Sequence, residues 1–304
     1  MQHKSIQALS LPLIFVVIYG SGFVGAKLGL LYSEPFTFLA MRFALAGVLL
    51  VAAAFLLDAV WPRRWGWLLL SGLLMQGVFS AGVFYALWLG MKPAVSALII
   101  ALQPLLVAVL AGPYLGEQVS RQRWVGLVIG VLGVALVVAD GLAVEGITLT
   151  NLSWALVSLV GLAAGQLVQK KHCAQMNLFS GGAIQVLATL PLLLILAWMF
   201  ETGDIVWHTD LALAVFWMGV GVSIGALSVL YIMLRTNQAT QVASVFYAVP
   251  VVAALMAWPM FDEIPTLMDW LGFSIVALGI LVANSDLSQR LALYLNPVRG
   301  RGRL

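Results

Sequence analysis

Charge is what this chain has least of. Of its 304 residues only 9% are Asp, Glu, Lys or Arg, against about a quarter in an ordinary soluble domain. That is too little polar surface to cover a water-soluble globule, and the mean hydropathy of +1.05 agrees. Cysteine is nearly absent: Cys173 stands alone, which excludes a disulfide within the chain. Enzyme signatures are missing too. No H-E-x-x-H, G-x-S-x-G or P-loop pattern occurs. Gly219, Gly221 and Gly225 fall inside an apolar run with the wrong spacing for a phosphate loop. His3, His172 and His208 sit near the ends of apolar runs, where solvation accounts for them. No catalytic residue, metal or cofactor is expected.

What is present is apolar length. Runs of about 20 residues recur along the chain, each long enough to cross a ~30 Å hydrocarbon layer. They place spans near residues 8–31, 35–57, 65–89, 93–115, 121–139, 151–172, 178–200, 210–234, 239–261 and 267–284. The alternating ten-residue strands of a membrane barrel are absent. The expected class is therefore an all-α integral membrane protein of ten transmembrane helices. The first run is longer than the 7–15-residue apolar region of a signal peptide, so it reads as a retained span. The bilayer is the expected surrounding.

Ten is even, so both termini share a side. With the N-terminus in the cytoplasm, Lys4, Arg63, Arg64, Arg121, Arg123, Lys170, Lys171, Arg235, Arg290, Arg299, Arg301 and Arg303 fall inside, and only Lys92 falls in an outer loop. Most acids complement them outside, among them Glu34, Asp140, Glu145, Glu201, Asp204, Asp210, Asp262, Glu263 and Asp269. The net charge of +3 is this loop bias rather than a sign of nucleic acid.

The chain also repeats itself. Pro104–Asp140 laid on Pro250–Asp286 without a gap shares Pro104/Pro250, Pro113/Pro259, Glu117/Glu263, Trp124/Trp270, Gly126/Gly272, Gly133/Gly279 and further apolar positions. Five spans per copy is odd, so the second copy enters the membrane from the opposite side. The expected units are residues 1–144 and 145–304, an inverted pair of five-helix repeats with a short basic tail. Such pairs place a substrate site near the midplane where the halves meet.

The stretch LQPLLVAVLAGPYLGEQVSRQRWVGLVIGVLGVALV resembles the signature region of the EamA family of the drug/metabolite transporter superfamily. The shared pattern is a Pro early in the fourth helix, a Gly-Glu at its end and a Trp-Gly opening the fifth. VIYGSGFVGAKLGL resembles the family's first helix, and Arg42 falls where the family often has an Arg in its second. The chain looks most like YddG-type exporters of amino acids and metabolites. The resemblance implies a multi-pass protein of the inner (cell) membrane that exports such solutes by alternating access. Another solute class (a drug, nucleoside or sugar derivative), a channel or an intramembrane enzyme are the rival readings. Both monomer and homodimer remain open. The second copy departs from the pattern: Asp262 replaces Gly116, and Gln185 replaces the Arg42 equivalent.

Polar groups in a hydrocarbon layer are costly, so each is a candidate for the solute path. Gln76, Ser80 and Phe84 share a face at i, i+4 spacing. Ser96 and Gln103, then Gln166, Gln169 and Lys170, then Ser228 and Tyr231, then Gln241, Ser244 and Tyr247 form further polar stripes. Interhelical hydrogen bonding is the alternative for each. Gly20 and Gly22 permit close approach of a backbone or a solute. Pro104 and Pro250 remove matching helical hydrogen bonds, free the carbonyls of Ile100 and Phe246, and are expected to bend or gate their helices. Lys27 either lines the path or snorkels to the headgroups. Arg42 lies eight residues past Glu34, ~12 Å down its helix, where it meets a substrate carboxylate or holds a carbonyl. No Asp or Glu lies mid-span, which disfavours proton-coupled cation antiport and suits a neutral or zwitterionic solute. The Gly126, Gly130 and Gly133 strip is expected to pack against the tenth helix or to mediate dimerisation.

Overall fold

The computed structural model describes residues 2–91, 96, 99–137, 147–261 and 266–284. Lys92, Asp140, Glu145, Asp262, Glu263, Asp286, Arg290, Arg299, Arg301 and Arg303 lie outside the described residues, so their expected sides do too. Within them the chain is helical and forms no strand. Only one isolated bridge pairs Ser33 with Ile205.

We label the helices α1 (Gln2–Gly29), α2 (Pro35–Leu56), α3 (Gly66–Trp88), α4 (Gln103–Leu115), α5 (Arg121–Val137), α6 (Leu149–Cys173), α7 (Leu178–Phe200), α8 (Thr209–Thr236), α9 (Ala239–Val245 and Ala248–Phe261) and α10 (Leu267–Asn284). Seven stretches among the described residues are long and apolar enough to cross a membrane, in α1, α2, α3, α6, α7, α8 and α9. Among the described residues, α4 and α10 offer shorter apolar stretches, and α5 has 17 residues. Large apolar side chains such as Leu13, Val48, Leu132, Val157, Ile195 and Leu278 point outward. That outer face belongs in lipid.

Local chemistry sets the helix ends. Thr148 and Asn151 form a reciprocal capping box at α6, and Asn177 accepts from Phe179 N and Ser180 N to start α7. Gly116 at φ 72° closes α4, a conformation that a Cβ would strain. Other ends are capped by distant residues. Glu201 accepts from the backbone of Phe36 and from Thr37 N (2.9 Å) at the start of α2. Glu117 accepts from Ala239 N (2.8 Å) at the start of α9.

The helices pair in a pattern. α1 packs on α8 and α9; α6 packs on α3 and α4; α2 packs on α7, α4 on α9, and α5 on α10. Adding or subtracting five converts each pair into another pair or into itself. α5 and α10 pack extensively and closely. A Cβ on Gly126 would lie 2.3 Å from Ala283 N, and one on Gly279 2.5 Å from Gly130 N. The glycine strip is thus filled inside one chain.

Two helices break where prolines were noted. Ala101 and Leu102 form a turn before α4, with Pro104 in its first turn. In α9, Phe246 and Tyr247 leave the helical path before Pro250. The Phe246 carbonyl is not free, however, because it accepts from Val249 N at 3.1 Å. The chain tightens to i→i+3 bonds there and recovers what the proline removes. A third break, Ala188–Thr189 before Pro191, interrupts α7. Residues 73–78 of α3 and 217–226 of α8 form wider π-type turns.

Candidate functional site

α1, α2, α3 and α8 enclose a cavity of about 620 Å³, its open mouth included. α1 contributes Tyr19, Gly22, Phe23 and Ala26, and α2 contributes Arg42 and Phe43. α3 contributes Met75, Gln76, Phe79, Ser80, Val83, Phe84 and Leu87, and α8 adds Met218, Val222 and Leu227. A second cavity of about 490 Å³ shares Tyr19, Phe23, Phe79 and Val83 with the first, and is closed by Ser96, Ile100, Ala101, Phe246, Val249 and Pro250. The walls are apolar and the polar groups few, the usual make-up of a small-molecule site.

The widened turns of α3 and α8 carry Gln76 and Ser223, and such turns often mark functional positions because they re-aim side chains. Gly22 lets α8 approach α1: a Cβ there would stand 3.1 Å from Val222 Cγ2. An aromatic group from α1 and α9 stands beside the cavities. Phe15 stacks on Tyr19 at 5.0 Å, and Phe246 lies 5.0 Å and 5.6 Å from the two rings.

Arg42 is 6% exposed. Its Nε donates to Ser223 Oγ at 2.8 Å, and its Cζ lies 4.8 Å from the Phe43 ring centre. Among the described residues no carboxylate pairs with it, and no acid lines either cavity. Gln76 Nε2 donates to Tyr231 Oη at 3.1 Å, while Gln76 Oε1 is buried without a partner. Among the described residues no cluster of three metal-ligating side chains occurs.

Of the residues singled out in the sequence, Arg42, Gln76, Ser80 and Phe84 meet in the first cavity, and Tyr231 stands behind Gln76. Gly22 lines that cavity too. Ser96, Ile100, Phe246 and Pro250 line the second. The rest lie elsewhere. Gln103 donates to Gln166 between α4 and α6. Gln169 accepts from Ser71 Oγ (2.9 Å) and from Gln185 Nε2 (2.6 Å), tying α6 to α3 and α7. Gly20 packs on Val252 of α9, and Tyr247 is buried against Gly130. Ser244 Oγ donates to Gln241 O within α9. Lys170 Nζ donates to Leu234 O and Asn237 O at the end of α8. Lys27 is exposed near the end of α1, and Ser228 and Gln241 are half-buried away from the cavities. Sequence reasoning missed Tyr19, Phe23, Phe79, Met218 and Ser223. Aromatic and methionine side chains carry no distinctive signal in an apolar span. Ser223 is a polar residue in a Gly-rich run, which is a signal that stripe-matching passes over.

Comparison with known proteins supplies the family. The model of the EamA-like transporter family matches residues 7–139 and again 149–285. An "Uncharacterized transporter YvbV" of Bacillus subtilis is 26% identical over 277 residues, covering 89% of each chain. An "Uncharacterized inner membrane transporter YedA" of Escherichia coli is 24% identical over 274 residues, covering 88% of this chain and 87% of that one. A "Probable amino-acid metabolite efflux pump" of Salmonella typhimurium is 26% identical over 162 residues, covering 53% and 52%. A solved structure titled "Crystal structure of protein" superposes with a TM-score of 0.78 at 20% identity, covering 91% of this chain and 97% of that one, and so shares the fold. With the family model matching both halves and nearly all of the chain, this protein belongs to the EamA-like transporter family and is a multi-pass membrane transporter.

Proposed function

We propose that the chain is a ten-span secondary transporter of the inner membrane that exports amino acids or similar small metabolites. Residues 1–144 and 145–304 are its two inverted halves, and both termini face the cytoplasm. The halves rearrange around the cavity between α1, α2, α3 and α8 and open it alternately to each side. The observation that carries this reading is the cavity: it is bounded by helices of both halves and, among the described residues, holds one deeply buried cation and no acid. A cation in that position requires water or an anionic group. A solute carrying a carboxylate supplies one, and a cationic drug does not. The amino-acid assignment leans also on the relatives named as efflux pumps. Absence of a lining acid favours movement down the solute gradient.

The test is a panel of labelled solutes in liposomes that contain the purified protein, run with and without a pH gradient. Accumulation of at least one amino acid, unchanged by the gradient, is expected. If no amino acid moves under any gradient while a nucleoside or sugar derivative does, the substrate reading falls.

A further inference from the structure

Two polar groups in the first cavity have unused bonding capacity of opposite kind. Arg42 has its Nε committed to Ser223 Oγ at 2.8 Å. A guanidinium offers a carboxylate two forked edges, one through Nε and one through its two terminal nitrogens. The first is occupied; the second has no hydrogen-bond partner among the described residues, and Arg42 lines the cavity. Gln76 has its Nε2 committed to Tyr231 Oη at 3.1 Å. Its Oε1 is an acceptor without a partner, on a side chain only 2% exposed. A buried carbonyl left unpaired carries a desolvation cost, and a bound donor removes it.

We propose that Arg42 and Gln76 form a two-point seat for solutes that carry a carboxylate and an ammonium on an apolar body. The inference rests on the transport reading above and names the substrate chemistry of that cavity. The carboxylate lies on the terminal nitrogens of Arg42. The ammonium donates to Gln76 Oε1. The apolar body lies against Phe23, Phe79, Val83 and Phe84, with the second cavity beyond Phe79 for a larger tail. Ser223 and Tyr231 are positioning residues: one fixes the rotation of the guanidinium, the other that of the amide. A bare amine is excluded by repulsion from Arg42, because neither cavity has a lining acid to receive it. In the second half Gln185 replaces the Arg42 equivalent and is bound to Gln169 at 2.6 Å, so the seat belongs to one half.

Three probes of one shape separate the two points: leucine, 4-methylpentanoate, which lacks the ammonium, and isoamylamine, which lacks the carboxylate. Each is tested as a competitor of labelled leucine uptake in proteoliposomes of the full chain. A hydrogen bond to a charged group corresponds to roughly a 10- to 100-fold change in affinity. We expect 4-methylpentanoate to compete about 10- to 100-fold more weakly than unlabelled leucine, and isoamylamine not to compete. Gln76→Leu brings leucine down to the 4-methylpentanoate level and leaves 4-methylpentanoate unchanged. Ser223→Ala raises the KM of leucine with little change in kcat. Arg42→Lys retains the charge, guards against misfolding and weakens both carboxylates.

Equal competition by all three probes overturns the seat, as does a Gln76→Leu variant that weakens leucine and 4-methylpentanoate alike. If leucine moves but every variant behaves as wild type, the seat fails and the transport reading stands. If no probe moves, stabilisation of the purified protein against heating decides. Stabilisation by leucine that Gln76→Leu removes supports the seat, and none by leucine or 4-methylpentanoate overturns it.

Discussion

Three carboxylates, Glu34, Glu117 and Glu201, accept from the backbone of distant segments, two of them at helix starts. Glu201 receives Phe36 N, Thr37 N and Thr37 Oγ1 (2.7 Å) at the start of α2. Glu34 receives Gly203 N at 2.7 Å and Asp204 N at 3.2 Å. Glu117, the Glu of the repeated Pro-Glu-Trp-Gly pattern, receives Ala239 N, Thr240 N and Thr240 Oγ1. The first backbone N–H groups of a helix have no partner within it, and the helix dipole favours an anion there. This explains why acids persist in so apolar a chain without entering the cavity. Replacing Glu201 by Gln removes the charge and one acceptor oxygen. Loss of a cap costs about 0.5–2 kcal/mol, so the variant should fold and melt at a lower temperature than wild type in the same detergent. An unchanged melting temperature would show that water replaces the cap at no cost.

At the scale of the helix, close approach decides which substitutions are tolerated. Gly126 on α5 faces backbone: an added Cβ would meet Ala283 N at 2.3 Å and Gly279 O at 2.7 Å. Backbone cannot rotate aside, so α5 and α10 must separate. Gly112 on α4 meets only Glu117 O, at 3.6 Å. Overpacking costs about 1–3 kcal/mol, so Gly126→Ala should lower the melting temperature and Gly112→Ala should not. Equal behaviour of the two variants would refute the packing account. The long apolar helices of α1, α2, α3, α6, α7, α8 and α9 were readable, since apolar length is a direct requirement of the bilayer. So were the breaks before Pro104 and Pro250, because proline acts locally. The π-type turns at 73–78 and 217–226 were not. They contain no proline and are set by how α3 and α8 fit their neighbours. For the same reason the sequence found Gln76 by its stripe but not its partner Tyr231, or Ser223 behind Arg42. Faces are periodic and readable, whereas partners depend on the packing of distant helices.

Across the whole molecule most charges among the described residues sort by end, Lys27 and Glu117 being exceptions. Glu34, Glu201, Asp204 and Asp210 gather with Tyr32 where α1 meets α2 and α7 meets α8. Arg123, Lys170, Lys171 and Arg235 gather at the opposite helix ends, bound to Thr240, Asn237 O, Tyr114 O and Met176 O. Basic residues favour the cytoplasmic face. In a Cys173→Ala background, Thr202→Cys should therefore react with an impermeant thiol reagent added outside cells, and Arg64→Cys only after the membrane is opened. The reverse pattern would invert the proposed orientation. The two ends also differ in what they hold. The cavity reaches from mid-helix toward the acidic end, with the Phe15, Tyr19 and Phe246 rings beneath it. Below those rings Glu117, just after α4, and Arg123 of α5 bind Gln238, Ala239 and Thr240 at the start of α9. If the proposed alternating-access cycle opens the cavity toward this end, it breaks that contact once per turnover. Cysteines at Glu117 and Thr240, joined by a short reducible thiol cross-linker, should stop uptake into proteoliposomes, and reduction should restore it. Each single cysteine treated with the same reagent separates loss of the Glu117 cap from the link itself. Full uptake with the link intact would mean that the halves move elsewhere, and would rule out this end as the inner gate.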